Sequence, residues 1–220
     1  LHPRANACVA CHQNVSEDLL TAGHPELIFE LDGQTLAIPR HWVERGFHRD
    51  GAQAWLVGQA VALREMTWKA SRSSTPRRFQ DRWAALQWLL KPLAALDNTL
   101  PSLDGMQANP KTAAKHIDLL DRFARIAGKL EWTEDLTRQC LTIYGNKTSD
   151  FAASDVTASR QAYRAERLVL ALDRLLAALD KPTADKLDPE IKQLFKLAQS
   201  IPDFDPTSFG RTLKSLADNL

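Results

Sequence analysis

The sequence predicts an all-α protein, in which an irregular N-terminal segment is followed by a bundle of about six or seven helices. Three observations favour this fold class. Apolar residues recur at helical spacing from about residue 51 onward. Three Asn-Pro or Asp-Pro pairs have the form of helix starts, with a capping side chain and a proline in the first turn. With 44% hydrophobic and 25% charged residues among 220, the composition is that of an ordinary globular protein.

Residues 1–50 form the least regular part of the chain. A short helix is expected over 15–21, and it should end near Gly23 and Pro25, because glycine is permissive and proline lacks an N–H donor. Only brief apolar runs follow in this segment. We therefore predict a first segment of loop and short helix, and a helical domain over 51–220 that packs with it as one structural unit.

The helical domain is expected to begin with a helix over about 51–71, which is apolar on so many sides that it should be largely buried. A break at 73–76 and a loop at 97–109 divide the region that follows, and Pro92 should kink or end the second helix. The apolar rows that define the later helices are Phe79, Trp83, Leu86 and Leu90; Leu119, Phe123, Ile126 and Leu130; Leu168, Leu172, Leu175 and Leu179; Ile191, Leu194, Phe195 and Ala198; and Phe209, Leu213 and Leu216.

Capping residues mark the helix starts. The candidates are Asn109-Pro110, Thr133 with Glu134 and Asp135 behind it, Asp188-Pro189 and Asp205-Pro206. The longest helix is expected within 149–180, and Lys181-Pro182 should stop it.

The most specific chemical signal is the stretch Cys8-Val9-Ala10-Cys11-His12. Two cysteines three positions apart, followed at once by a histidine, form the attachment pattern of c-type haem. Each thiol adds to one vinyl group of the haem, and the histidine then binds the iron from below the ring. The motif predicts one covalent haem c per chain, held by Cys8 and Cys11, with His12 as the proximal iron ligand.

Three other interpretations compete with haem. A zinc site is disfavoured because the adjacent Cys11 and His12 cannot easily serve one tetrahedral ion, and the chain has no second cysteine pair. A thioredoxin-like redox pair would need a strand before it and a helix after it, which the pattern does not show. A chance occurrence of the motif is the third.

His24 is the leading candidate for the distal iron ligand. It follows His12 by twelve residues, enough chain to pass the ring edge and return, since an extended residue spans about 3.3–3.6 Å. The rivals are His41, which is more readily a packed histidine, and an open sixth position. Met66 belongs to a tryptophan-rich helix and is expected in the core.

The remaining candidates have ordinary interpretations. His2 and His48 are expected to be exposed, and His116 should lie on the surface of its helix. Cys140 falls in an apolar row with Leu136 and Ile143, so it should be a buried free thiol.

The residues after the motif resemble a family of bacterial multihaem c-type cytochromes. The likeness is carried by Gly23-His24-Pro25-Glu26-Leu27, Phe29-Glu30-Leu31 and Pro39-Arg40-His41-Trp42, which follow the motif much as AGHPxLxFE and PxHW follow it in that family. It continues through 55–61 and touches the end of the chain at Phe204, Asp205-Pro206 and Phe209.

This chain departs from the family in two ways. Relatives usually carry a further CxxCH after the helix that matches residues 51–70, whereas residues 71–83 here contain no cysteine. Relatives also often have a histidine where this chain has Glu17. The resemblance therefore implies the C-terminal region of a multihaem cytochrome reduced to one haem, without the chain of close haems that long-range electron transfer needs.

Charge and hydropathy narrow the function classes. The net charge is +1, which points neither to nucleic acid nor to a membrane surface, and no apolar run approaches the roughly 18 residues needed to span a bilayer. Residues 1–50 carry 4 basic and 7 acidic residues, and residues 51–100 carry 7 basic and 3 acidic. These are two solvated faces or, alternatively, a docking patch for an acidic partner.

The function expected from the sequence is electron transfer by a periplasmic or otherwise exported cytochrome c with a bis-histidine haem and a redox partner protein. Export is expected because haem c is attached outside the cytoplasm, and Leu1 would then be a processed or truncated start. The alternatives are a haem-based sensor or small-ligand binder, and a structural or docking subunit of a larger redox complex. No catalytic constellation accompanies the haem motif, so we do not expect an enzyme.

Overall fold

The computed structural model describes residues 1–31, 51–72, 74–200 and 203–220. These residues form helices, turns and loops, with no strand among them, which confirms the all-α prediction. The α-helices of the described residues are α1 (His2–His12), α2 (Glu17–Thr21), α3 (Gly51–Arg72), α4 (Arg77–Leu90), α5 (Pro110–Ala127), α6 (Glu134–Gly145), α7 (Ala158–Leu176), α8 (Lys181–Ala198) and α9 (Pro206–Asn219). Two 3₁₀ helices, Lys91–Ala95 and Asn146–Phe151, follow α4 and α6.

The first of two compact units contains residues 1–76 and 98–131. Helix α3 is its centre, because α1 and α5 both pack against it. Most side chains of α3 are buried, as its apolar sequence predicts. At its start Gln53 Nε2 donates to the carbonyls of Ala127 and Leu130 at 3.1 and 2.6 Å, so the C-terminal end of α5 is satisfied by a side chain of α3.

The second unit contains residues 77–97 and 132–220. Helix α7 packs against α4, α6 and α8, and α9 packs against α8 and the second 3₁₀ helix. The interior of the second unit contains packed aromatic rings and the buried carboxylate of Asp81. Phe151 and Phe209 pack in a tilted arrangement with ring centroids 4.7 Å apart, and Asp81 accepts from Arg160 at 2.9–3.0 Å. The pairing offsets the cost of taking the carboxylate out of water.

The predicted division of the chain between residues 50 and 51 falls inside the first unit, which takes described residues from both sides of it. Within the described residues, no helix is both long and apolar enough to cross a bilayer.

Helix α1 differs from the irregular structure predicted for the start of the chain. Pro3 lies in its first turn, where the missing N–H would have no partner in any case. Ala5 and Val9 lie one turn apart and are buried. The helix is therefore stabilised chiefly by packing on α3, a contact that local sequence does not reveal.

Two of the Asn/Asp-Pro starts are confirmed and one is wrong. Asn109 caps α5 and Asp205 caps α9 through their side chains. Pro189, in contrast, lies inside α8. That helix begins after Asp180, whose carboxylate accepts from the backbone N–H of Thr183 at 3.0 Å, so the cap forms eight residues earlier than predicted.

The predicted cap at Thr133 is confirmed, with Oγ1 accepting from the Leu136 N–H at 3.2 Å. The long helix predicted within 149–180 is shorter than expected. Its N-terminal part is a 3₁₀ helix and an irregular stretch, and α7 starts only where Thr157 caps it. Among the described helices α3, with 22 residues, is the longest.

Candidate functional site

Helix α1 places Cys8, Cys11 and His12 on one side of a single rigid element. Their spacing of three and four positions puts them on adjacent turns of the same face. Ala5 and Val9, which lie seven and three positions before His12 and therefore on its side of the helix, are buried. Cys11 is exposed, whereas Cys8 and His12 are half-buried, and both thiols are free. The three predicted haem-binding residues thus lie on one helix, with Cys11 exposed and His12 beside the buried Ala5 and Val9.

His24 follows α2 in a turn that fixes its backbone. The N–H of His24 donates to the carbonyl of Leu19 at 2.9 Å, and that of Gly23 donates to Leu20 at 3.1 Å. This pair of bonds is the Schellman motif, which requires a left-handed residue after the helix. Gly23 supplies it with φ of +95°. Ser16 closes the other end of the helix, where Oγ accepts from the Leu19 N–H at 3.4 Å.

The imidazole of His24 has its two nitrogens in different roles. Nδ1 lies 2.7 Å from the carbonyl oxygen of Pro25. Because a carbonyl oxygen only accepts, Nδ1 carries the proton, and in the neutral ring Nε2 keeps a free lone pair. Histidines that bind metals commonly have this arrangement, since the bond at one nitrogen fixes the tautomer and the ring direction. His24 is exposed, so Nε2 is open to a ligand.

The chain that follows His24 is attached to the middle of α3. The carbonyl of Phe29 accepts from Gln59 Nε2 at 2.8 Å, and both side chains are buried. Leu31 lies directly against Gly58, where an added Cβ would come within 2.9 Å of the Leu31 Cβ. Gly58 is therefore required for this close approach, and Gln59 satisfies a carbonyl that would otherwise be buried without a partner.

The chain that follows His12 is attached further along the same helix. Asn14 Nδ2 donates to the carbonyl of Glu65 at 3.3 Å, and Lys69 Nζ donates to the carbonyl of Val15 at 3.3 Å. Helix α3 therefore holds the segment behind the proximal histidine and the segment behind the distal candidate. It serves as a common frame for both.

The donor set fits a haem c better than a bare metal ion. Among the described residues, no group of three or more His, Cys, Asp or Glu side chains could hold a metal by itself. A haem iron takes four ligands from the porphyrin and needs only one or two from the protein. Two outward-facing thiols, an imidazole one turn after the first, and a second imidazole with a free Nε2 meet that requirement. The side chain of Leu19, which is 52% exposed, adds apolar surface five residues before His24.

Two predictions about the other histidines, those for His2 and His116, can be compared with the structure. His41 and His48 lie outside the described residues. His2 was expected at the surface, but it is half-buried and lies 3.0 Å from Asp121, so that prediction is wrong.

His116 is also less exposed than predicted. It is half-buried, Nδ1 is inaccessible to water and has no hydrogen-bond partner, and burial, with a smaller effect from the charge of Lys115, lowers its pKa. The cause is the register of α5. The buried row runs through Ala113, Leu120, Phe123, Ala124 and Ala127, rather than through Leu119 as predicted. His116 is therefore one turn from Leu120, on the packed side.

Cys140 and Met66 are placed as predicted. Both are fully buried. Burial raises the pKa of the Cys140 thiol to about 12, so it is an inert core group.

Sequence reasoning missed Gly58, Gln59 and Lys69 as residues that position the site. Nothing in their local pattern indicates the role, because each contacts a segment 27 or more positions away.

Comparisons with family models, with curated proteins and with solved structures give no match for this chain.

Proposed function

We propose that this chain is a c-type cytochrome with a single covalent haem, that it transfers electrons outside the cytoplasm, and that it derives from the multihaem family it resembles. The observation that supports this most is that one helix carries Cys8, Cys11 and His12 at positions i, i+3 and i+4, with both thiols free and Cys11 exposed. When bound, a haem supplies a one-electron ferric–ferrous couple.

The protein's contribution in this proposal is attachment, orientation and ligation. Cys8 and Cys11 would hold the haem through their thiols, and His12 and His24 would bind its iron. The Nδ1–H bond from His24 to the carbonyl of Pro25 fixes the tautomer of that imidazole and leaves Nε2 available.

Two imidazole ligands set the expected properties. The reduction potential of a bis-histidine haem lies below that of a His/Met haem, because a thioether ligand raises the potential. With His24 bound, the iron would have no position open to a small ligand. Electron transfer is therefore favoured over sensing, which would need an open or displaceable site.

The test is an absorption spectrum of the ferrous protein with and without carbon monoxide. The wild-type protein should be low-spin and should not bind carbon monoxide. His24→Ala should be high-spin and should bind it, whereas His41→Ala should resemble the wild type. A His24→Ala variant that stays low-spin would exclude His24 as the ligand. A wild-type protein that binds carbon monoxide readily would favour the sensor alternative.

A further inference from the structure

A network of charged side chains joins α1 to both of its neighbours in the first unit. Arg64 of α3 donates from Nη1 to Asn6 Oδ1 at 2.7 Å and to Asp121 Oδ1 at 2.6 Å. His2 Nε2 lies 3.0 Å from the same carboxylate oxygen. Asn6 and His2 belong to α1, and Asp121 belongs to α5. One guanidinium therefore links all three helices.

The network is partly withdrawn from water. The side chains of Arg64, Asp121 and His2 expose only 13%, 18% and 15% of their surfaces. Burial raises the pKa of Asp121, but hydrogen bonds from Arg64 and His2, with smaller charge effects from His2 and Arg125, outweigh it and lower that pKa. The carboxylate stays ionised at neutral pH, and hydrogen bonds to an ionised group are stronger than neutral ones.

Two contacts to α3 lie on either side of the haem motif in the sequence. Asn6 lies two residues before Cys8, and Asn14, which binds the Glu65 carbonyl, lies two residues after His12. The motif thus occupies the span of chain between two attachments to adjacent residues of α3. Movement of either attachment would tilt the helix that carries the thiols and the proximal imidazole.

We propose that Arg64 is a positioning residue for the haem: by bridging Asn6 to Asp121 it fixes the direction of α1, and hence of His12, relative to the segment that carries His24. This inference rests on the proposed haem function. It assigns Arg64 a role in keeping the iron between two imidazoles that come from separate segments of the chain.

The planar fork of arginine is used in full. While Nη1 reaches Asn6 and Asp121, Nε and Nη2 reach Glu65 Oε1 at 3.2 and 2.6 Å. A lysine in the same place would keep the charge but could not hold this set of partners in fixed directions. Arg64→Lys should therefore behave as a partial loss, and Arg64→Met as a full one.

Two control variants separate this role from general stability. Arg125 binds the other oxygen of Asp121 at 2.5 Å, and its side chain is 65% exposed. Arg125→Met removes a cation from the same carboxylate while leaving the bridge from Arg64 to Asn6 in place. Gln53→Ala breaks the bonds from α3 to the end of α5 and leaves the contacts of Arg64 to Asn6 and Asp121 in place.

The first experiment uses haem-free full-length protein and measures amide hydrogen exchange in α1. Losing hydrogen bonds to charged groups should speed exchange of the α1 amides by about tenfold in Arg64→Met. Arg125→Met and Gln53→Ala should leave α1 near the wild-type rate. Equal exchange rates in Arg64→Met and wild type would contradict the proposal that Arg64 fixes the direction of α1.

The second experiment uses haem-loaded protein and follows carbon monoxide binding to the ferrous form. A tilted α1 should weaken the distal bond, so Arg64→Met should bind carbon monoxide faster than wild type, with Arg64→Lys in between and both controls unchanged. If wild-type protein carries covalent haem and Arg64→Met matches it in binding, the role of Arg64 is wrong. Wild-type protein without covalent haem would instead overturn the proposed function itself.

Discussion

The two units of this chain use the same residue type in opposite ways. The first unit presents Cys11 to solvent and Cys8 at a half-buried position on one helix face. The second unit buries Cys140 completely. An apolar core gains from a buried thiol, whereas an exposed thiol such as Cys11 adds nothing to packing. The pair in the first unit therefore calls for a chemical explanation, and the buried thiol does not.

A similar contrast holds for polar side chains. The second unit contains no histidine, and its buried carboxylate is paired with arginines inside the unit. All six histidines fall in the sequence ranges of the first unit. There, polar contacts attach the segments next to Cys8, His12 and His24 to one helix. The candidate haem-binding residues and the polar side chains that position them thus lie in the first unit, and core packing dominates the second unit.

The largest expected difference is in thiol reactivity. In haem-free folded protein at pH 7, two thiols should react promptly with a disulfide reagent and the third should not. A pKa of about 12 leaves about one Cys140 thiol in a hundred thousand ionised, and burial blocks the reagent as well. We expect Cys140 to react more than about a hundredfold more slowly until the protein unfolds.

The matched variant is Cys140→Ser, which should keep both fast reactions. Three thiols that react at one rate would contradict the contrast between the units.

The next largest effect concerns two tightly packed glycines, one in each unit. An added Cβ would lie 2.9 Å from the Leu31 Cβ at Gly58, and 2.8 Å from the Ala217 Cβ at Gly145. Gly58→Ala and Gly145→Ala should each cost about 1–3 kcal/mol of unfolding free energy, because backbone or neighbours must shift. Denaturant unfolding measures the cost.

Only one of these substitutions should affect the haem. Gly58→Ala displaces the segment that follows His24, so the low-spin fraction of the haem-loaded protein should fall. Gly145→Ala should leave the spectrum unchanged at the same loss of stability. Equal spectra in both variants would show that α3 does not position the distal segment.

The smallest expected effect is the pH dependence from His116. Its pKa is lowered in the folded state, so below about pH 6.5 a larger fraction of unfolded chains than of folded ones is protonated at this ring. The free energy of unfolding is therefore highest above that pH, and it falls as the pH is lowered from about 6.5 towards the folded-state pKa. Hydrogen exchange of α5, corrected for intrinsic rates, should show faster opening at pH 5.5 than at pH 7.5.

The control for this prediction is His116→Gln, which should flatten the dependence of α5. Helix α9 in the histidine-free unit should show little dependence over the same range. An unchanged slope in His116→Gln would assign the effect to another group.

The helices were predictable where a local signal decides them. Asn109, Thr133 and Asp205 cap helices as expected, because a capping side chain acts on backbone groups two or three positions away. Predictions were wrong where distant packing decides. In α5 the buried row includes alanines at 113, 124 and 127 beside Leu120 and Phe123, so the predicted row through the large residues at 119 and 126 gave the wrong register. Helix α1 likewise depends on α3 rather than on its own pattern.

The candidate site follows the same division. The motif at Cys8–His12 and the candidate His24 are short-range patterns in the sequence, and their haem-binding roles stay predictions. The residues that contact their segments could not be found from the sequence, because Arg64 reaches Asn6 and Asp121 across 58 and 57 positions. Gly58 and Gln59 act over 27 and 30 positions. Such contacts become visible only in the fold.

The most direct test of the central claim is the intact mass of the acid-denatured protein, produced in a host that attaches haem c. We predict that the wild-type mass exceeds the polypeptide mass by one haem, and that a variant with both Cys8→Ser and Cys11→Ser carries none. Cys140→Ser should keep the added mass. An unmodified wild-type polypeptide from that host would contradict the assignment of this chain as a c-type cytochrome.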